Sequence, residues 1–128
     1  MTSTLTIAEA AERTGLTTDT LRYYERDGLM LRPIGRSATG HRRYTEDDLG
    51  WITMVGCLRA TGMPIRDVRR YATLVRDGGN EQARLELLQA HRLGVLAQLA
   101  EVTQHLGAID RKIGIYEDQV LGLERASA

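Results

Sequence analysis

The chain has 128 residues and no net charge at pH 7, enough for one small domain with an extension, which argues against a multi-domain enzyme. Hydrophobic residues make up 42% and charged residues 27%, a globular balance, while a single cysteine and an N-terminal stretch without export features predict a cytoplasmic protein. No apolar run approaches the roughly 20 residues that cross a bilayer, so we expect no membrane association.

The zero net charge conceals an uneven distribution of charge. Residues 1–76 hold 12 arginines against 9 acids, and residues 77–128 hold 5 basic residues against 8 acids. The excess is steepest in residues 13–43, where seven arginines accompany three acids. Guanidinium groups can make bidentate contacts with phosphate or with a guanine edge. This region is therefore a candidate nucleic-acid-binding surface, the alternative being an ordinary solvated surface.

Two short helices are predicted at the start of the chain. Thr6 and Glu9 have the spacing of a capping box, and the helix that they begin ends at Gly15. Thr17 can cap a second helix, which ends at Gly28. Two short helices joined by a Gly-Leu turn predict a helix-turn-helix.

The second helix has two distinct faces. Leu21 and Tyr24 point one way, and side chains that can form hydrogen bonds share another face. In a helix-turn-helix, this other face would lie in the major groove of DNA. Its members are candidate DNA contacts: Thr18, Asp19, Arg22, Tyr23 and Arg26.

Residues 31–44 are predicted to form a small β-hairpin. Pro33, Gly35 and Gly40 are mixed with branched and aromatic residues, a composition that favours a hairpin over a helix. A basic hairpin after a helix-turn-helix indicates a wing. Its candidate DNA contacts are Arg36, Arg42 and Arg43.

A second helix pair follows the hairpin. Thr45 and the three acids after it are typical of a helix start, and that helix runs to about Ala60 with apolar residues on most sides. Gly62 and Pro64 interrupt it, and a fourth helix then ends at the Asp-Gly-Gly sequence of residues 77–79.

A long helix is predicted from about Asn80, because roughly 40 residues follow without proline and apolar residues recur in steps of three and four. A helix of about 60 Å with a narrow apolar seam requires a partner helix, and a second copy of the chain is the simplest partner. The alternative is a seam that folds back onto its own N-terminal domain. The candidate dimerisation residues are Leu88, Val95, Leu99, Val102, Leu106, Ile109 and Ile113.

The predicted fold is therefore mainly α. It comprises a winged helix-turn-helix DNA-binding domain with a small β-hairpin wing over residues 1–76, which includes the second helix pair. A long C-terminal coiled-coil helix for dimerisation covers residues 80–121, and a flexible tail covers residues 122–128.

The sequence also resembles a known family. The run TLRYYERDGL (residues 20–29), the wing ending GHRRY (residues 40–44), TEDDL (residues 45–49), a second helix pair and a terminal coiled coil are together similar to the MerR family of bacterial transcription regulators. The segment CLRATGM (residues 57–63) resembles the branch that includes the aldehyde- and nitrosative-stress-responsive NmlR and AdhR regulators.

The resemblance implies a homodimer on a pseudo-palindromic operator in promoter DNA. In this family an effector makes the regulator distort the duplex, so that RNA polymerase can engage. By position, Arg22 and Tyr23 would face the major groove and phosphates, and Arg42 would be the wing arginine. This chain has His41 where the family often has tyrosine, and Pro64 where it often has a capping serine.

Cys57 is the candidate sensor of a reactive electrophile, on the strength of the CLRATGM resemblance and its place in the helix before the coil. The alternatives are a buried structural thiol with a small-molecule effector bound non-covalently near the coil, and no effector at all. Residues three and four positions away offer no cation to activate the thiol.

Enzymatic and metal-dependent functions are not expected. Cys57 lies mid-helix in an apolar run and the three histidines are scattered, so a cysteine hydrolase is not indicated. His91 and His105 are too far apart to chelate one ion. We predict no metal and no cofactor. The competing function is that of an unregulated accessory or architectural DNA-binding protein.

Overall fold

The computed structural model describes residues 3–127, with side chains as far as residue 123. The chain divides into two compact units, one ending at His91 and the other beginning at Arg92. The described residues form five helices and two short strands: α1 (Ile7–Thr14), α2 (Thr18–Arg26), β1 (Gly35–Arg36), β2 (Arg42–Arg43), α3 (Glu46–Ala60), α4 (Ile65–Asp77) and α5 (Glu81–Ser127).

Threonine caps begin the first three helices, as predicted. Thr6 and Glu9 form a reciprocal capping box, with N···O distances of 2.9 and 3.2 Å. Thr17 accepts a hydrogen bond from the first turn of α2, and Thr45 forms a second capping box with Asp48. Each cap satisfies backbone N–H groups that have no partner within the helix, which explains why the helices begin where they do.

The predicted hairpin is confirmed. β1 and β2 pair in antiparallel register, with Gly35 opposite Arg43 and Arg36 opposite Arg42. A bridge beside this pair joins Leu5 to Tyr44 through two backbone hydrogen bonds of 2.8 Å. The segment before α1 therefore lies along the base of the hairpin.

The core of the first unit lies between the helix-turn-helix and the second helix pair. On the α3 side, Trp51 donates its indole N–H to the carbonyl of Leu29 at 2.6 Å and stacks on Tyr71 with ring centroids 5.6 Å apart. These contacts hold the segment after α2 against α3 and α4. The buried apolar residues include Leu21, Tyr24, Leu29, Tyr44, Ile52, Val55, Leu58, Met63 and Val68.

The long helix α5 contributes to both units. Leu87 and Leu88 are half-buried against the core, so the first unit extends to His91, beyond the boundary predicted at residue 76. At its other end the helix continues through Ser127, and residues 122–127, which the sequence assigned to a tail, are helical. Within residues 3–127, no helix combines the length and the apolar character needed to cross a membrane.

Candidate nucleic-acid interface

Asp19, Arg22 and Arg26 of α2 point away from the core, as the sequence predicted, whereas Tyr23 packs partly against it. Leu21 and Tyr24 are buried, whereas Asp19 and Arg22 are exposed. The guanidinium of Arg22 donates to Asp19 at 3.1 Å and to the half-buried Thr18 at 3.4 Å. Since both bonds use Nη1 of a side chain that is 44% exposed, Arg22 remains open to a ligand.

Tyr23 and Arg26 form a second group on the same helix. The guanidinium of Arg26 lies 5.9 Å from the centre of the half-buried Tyr23 ring, within the range of a cation–π contact. Arg26 itself is exposed. The contact places its positive charge one turn after Arg22.

Glu25 joins α2 to the hairpin. One carboxylate oxygen accepts a hydrogen bond from Nη2 of Arg36 at 3.1 Å, and the other accepts one from Nε of Arg42 at 2.6 Å. We call these three residues the Glu25 cluster. Its arginines were predicted as DNA contacts, but the carboxylate that holds them was missed. An acid within a basic segment, next to LRYY, was the available signal.

Arg43 faces a different set of partners. Its Nε donates to the hydroxyl of Thr4 at 3.0 Å, and its Nη2 donates to the carbonyl of Thr4 at 3.1 Å. Two of its donors are therefore engaged in holding the segment before α1. Its role as a DNA contact stays a prediction.

Two arginines of α4 hold the end of α2 and the segment that follows. Arg69 donates to Asp27 at 2.7 Å, and this hydrogen bond is the main cause that holds the pKa of the Asp27 carboxyl below its usual value. Arg76 donates to three backbone carbonyls at residues 28, 30 and 31. Sequence analysis missed both roles.

Cys57 is exposed on α3. This overturns the view of its thiol as a small buried hydrophobe. One turn further on, the Thr61 hydroxyl lies 2.8 Å from the Cys57 carbonyl and 2.7 Å from Nε2 of His91 on α5. The cysteine thus lies one turn from the contact between α3 and α5. In the part of the chain that the structure describes, no group of acids, cysteines and histidines is placed to hold a metal ion.

The apolar seam of α5 divides into a packed part and an exposed part. Leu88 packs against the core of its own chain and Val95 is half-buried. The remaining five predicted positions are between 48% and 63% exposed: Leu99, Val102, Leu106, Ile109 and Ile113.

A helix-turn-helix with exposed arginines on its second helix, followed by a short arginine-bearing hairpin, defines a winged helix-turn-helix protein. Residues 5–74, more than half of the chain, match the family described as MerR HTH family regulatory protein. The chain belongs to the MerR family of transcriptional regulators, and the predicted winged helix-turn-helix fold with a small hairpin and a long C-terminal helix is confirmed.

Individual relatives agree with this assignment. The chain is 38% identical to an HTH-type transcriptional regulator of Haemophilus influenzae over 89% of this chain and 84% of that protein. It is 40% identical to the regulator AdhR of Bacillus subtilis, over 69% of this chain and 63% of AdhR. Among solved structures it is similar to HiNmlR, a MerR family regulator lacking the sensor domain and bound to promoter DNA. That match has a TM-score of 0.83 and 36% identity, and covers 89% of this chain and 86% of HiNmlR.

Proposed function

We propose that the chain binds promoter DNA as a homodimer, with α2 in the major groove and the hairpin beside it on the phosphate backbone. The observation that carries this proposal is the Glu25 cluster, because it ties the arginines of the hairpin to the helix that bears Arg22 and Arg26. The arginines of α2 can reach base edges, and the guanidinium groups of the hairpin can bind phosphate. The similarity to HiNmlR, which was solved on promoter DNA, supports it.

The test is the affinity of variants for an operator that the wild-type chain selects from a random duplex library. Arg22→Ala should weaken binding by about 1–3 kcal/mol if Arg22 contacts a base. Arg42→Ala should reduce the slope of log affinity against log salt by about one, because one phosphate contact is lost. Arg111→Ala removes the same charge from an exposed position on α5 and serves as the control.

Two results would contradict the proposal. Failure of the wild-type chain to enrich any duplex would exclude sequence-specific DNA binding. Full affinity and an unchanged salt slope in both the Arg22 and the Arg42 variants would place the interface elsewhere on the molecule.

The second copy is proposed because the seam is uncovered in a single chain. Fully burying a leucine, valine or isoleucine contributes about 1.5–3 kcal/mol, so covering the exposed half of each of the five positions yields about 1 kcal/mol per side chain. A matching helix from a second copy presents the same seam. The selected operator should then be an inverted repeat, since a two-fold dimer presents two copies of α2.

We propose that Cys57 senses a reactive electrophile, in keeping with its exposure on α3. With an aldehyde, the sulfur would bond to the carbonyl carbon, and the thiol proton would pass to the carbonyl oxygen. The added group would stand one turn from the Thr61–His91 contact between α3 and α5. Modification would thereby change how the dimer holds its operator, and the resulting distortion of the promoter would alter access by RNA polymerase.

A further inference from the structure

We propose that Glu25 is a positioning residue of the DNA interface. Its carboxylate sets the orientation in which Arg42 meets a backbone phosphate. This role rests on the proposed function, because it requires that the hairpin contact DNA.

The hydrogen bond between Glu25 and Arg42 uses the inner nitrogen of the guanidinium. Oε2 of Glu25 accepts from Nε of Arg42 at 2.6 Å, and among residues 3–123 no other hydrogen bond of the Arg42 side chain is seen. Both terminal amino groups of Arg42 are therefore left for a phosphate. A guanidinium is planar, so fixing Nε also fixes the direction in which the two terminal groups point.

Within the Glu25 cluster, the pair formed by Glu25 and Arg42 is the shielded part, since Arg36 is 45% exposed. The side chain of Glu25 is 22% exposed and that of Arg42 is 26% exposed. By contrast, Asp19 on the polar face of α2 is 93% exposed. Shielded ion pairs are less weakened by salt than exposed ones.

The bridge between Leu5 and Tyr44 holds the base of the hairpin, but beyond that base the strand pairing is short. Each strand has two residues, and register is fixed by two pairs. Isolated two-stranded hairpins are marginally stable in water. Glu25 accepts one bond from each strand, through Arg36 on β1 and Arg42 on β2, so a single carboxylate connects both strands to α2.

Simple charge repulsion and a positioning role predict opposite effects of removing Glu25 on DNA affinity. A carboxylate beside a phosphate repels it, so removing Glu25 should strengthen binding if the acid does no more than contribute charge. If Glu25 orients Arg42, removing it should weaken binding. The sign of the change therefore separates the two explanations.

The experiment measures affinity for the operator selected by the wild-type chain, over a range of salt concentrations. Glu25→Ala should bind about tenfold more weakly, the equivalent of one charge-assisted hydrogen bond, with a salt slope lower by about one. Glu12→Ala removes the same charge from an exposed position on α1 and should bind as tightly as wild type or more tightly. In an Arg42→Ala background, Glu25→Ala should cause a clearly smaller loss, limited to what its bond to Arg36 contributes.

Glu25→Gln covers the case in which the alanine variant fails to fold, because it keeps the side-chain volume but loses the charge. It should also weaken binding, and the NMR signal of the Arg42 Nε–H group should lose the protection that its carboxylate partner gives it in free wild-type protein.

Unchanged or increased affinity in a folded Glu25 variant would overturn the positioning role while leaving the proposed function intact. An equal loss with and without Arg42 would also overturn it. A wild-type chain that selects no operator would overturn the proposed function, and the positioning role with it.

Discussion

Removing the guanidinium of Arg76 tests how the second helix pair supports the DNA-binding part of the chain. In Arg76→Ala, the carbonyls of Gly28, Met30 and Leu31 lose their contacts with α4. These carbonyls lie in the connection between α2 and the hairpin. We therefore expect the first unit to lose stability.

The size of the expected loss in stability follows from the three hydrogen bonds of Arg76. Nη2 donates to Met30 at 2.6 Å and to Gly28 at 3.1 Å, and Nε donates to Leu31 at 3.3 Å. Hydrogen bonds to charged groups contribute about 1.5–3 kcal/mol, but the three share one exposed guanidinium and do not add. We expect a net loss of about 2 kcal/mol. For a unit of this size that corresponds to a fall in melting temperature of about 8–16 °C.

The assay is thermal unfolding followed by circular dichroism at one fixed protein concentration, since association shifts the apparent stability. Arg66→Ala on the same helix is the control, because that side chain is 84% exposed and lies 4.0 Å from Asp67. It should change stability by less than about 0.5 kcal/mol. Arg76→Lys should recover part of the loss, since one ammonium replaces a fork of donors. An Arg76→Ala variant that melts within about 2 °C of wild type would refute this reasoning.

Four further outcomes are expected. Leu99→Asp should dissociate the dimer and weaken DNA binding, because it places a charge in the seam at a cost of several kcal/mol; sedimentation showing an intact dimer would contradict the seam. Cys57→Ser should abolish the response of an operator-driven reporter to formaldehyde or a nitrosothiol, with intact mass confirming the adduct on wild type; an equal response in both would leave the thiol without a sensing role. Arg69→Ala should destabilise the chain at neutral pH. The difference from wild type in the free energy of unfolding, measured with urea, should shrink as the pH falls below about 4. The hydrogen bond from Arg69 lowers the pKa of Asp27, and it stabilises the fold only while that carboxyl is ionised. Tyr44→Phe should raise the free energy of unfolding by about 1 kcal/mol, because the buried hydroxyl has no hydrogen-bond partner among the described residues; a loss of stability would show that the hydroxyl is satisfied.

Local features of the fold could be predicted from the sequence because their partners are close in the chain. The caps at Thr6, Thr17 and Thr45 bond to residues three positions later, and the helices begin after each of them. The hairpin was predicted on similar grounds, from glycines, which allow turn conformations, and a proline, which restricts φ. These signals depend little on tertiary packing.

The contacts that assemble the site were not predictable from spacing. Glu25 bonds to Arg36 and Arg42, which lie 11 and 17 residues later in the sequence. Arg76 bonds to carbonyls that lie 45 to 48 residues before it. Such pairs depend on how helices pack. No periodic pattern encodes an ion pair between elements of different type.

The long helix shows a third kind of limit. Its apolar period predicted a helix, but an apolar residue satisfies a core and a dimer seam equally well. Leu88 fits the seam by position and packs against the core of its own chain. The period therefore could not locate where the first unit ends.

The single cysteine of the sequence, exposed on α3, also makes the protein suitable for spectroscopy without mutagenesis. A nitroxide or fluorophore attached to Cys57 would occupy one defined position per chain. In a dimer, the distance between the two labels could be followed by pulsed electron paramagnetic resonance, with and without operator DNA. The label occupies the thiol itself. Comparing the operator affinity of labelled and unlabelled protein would therefore show whether a bulky group at Cys57 alters DNA binding.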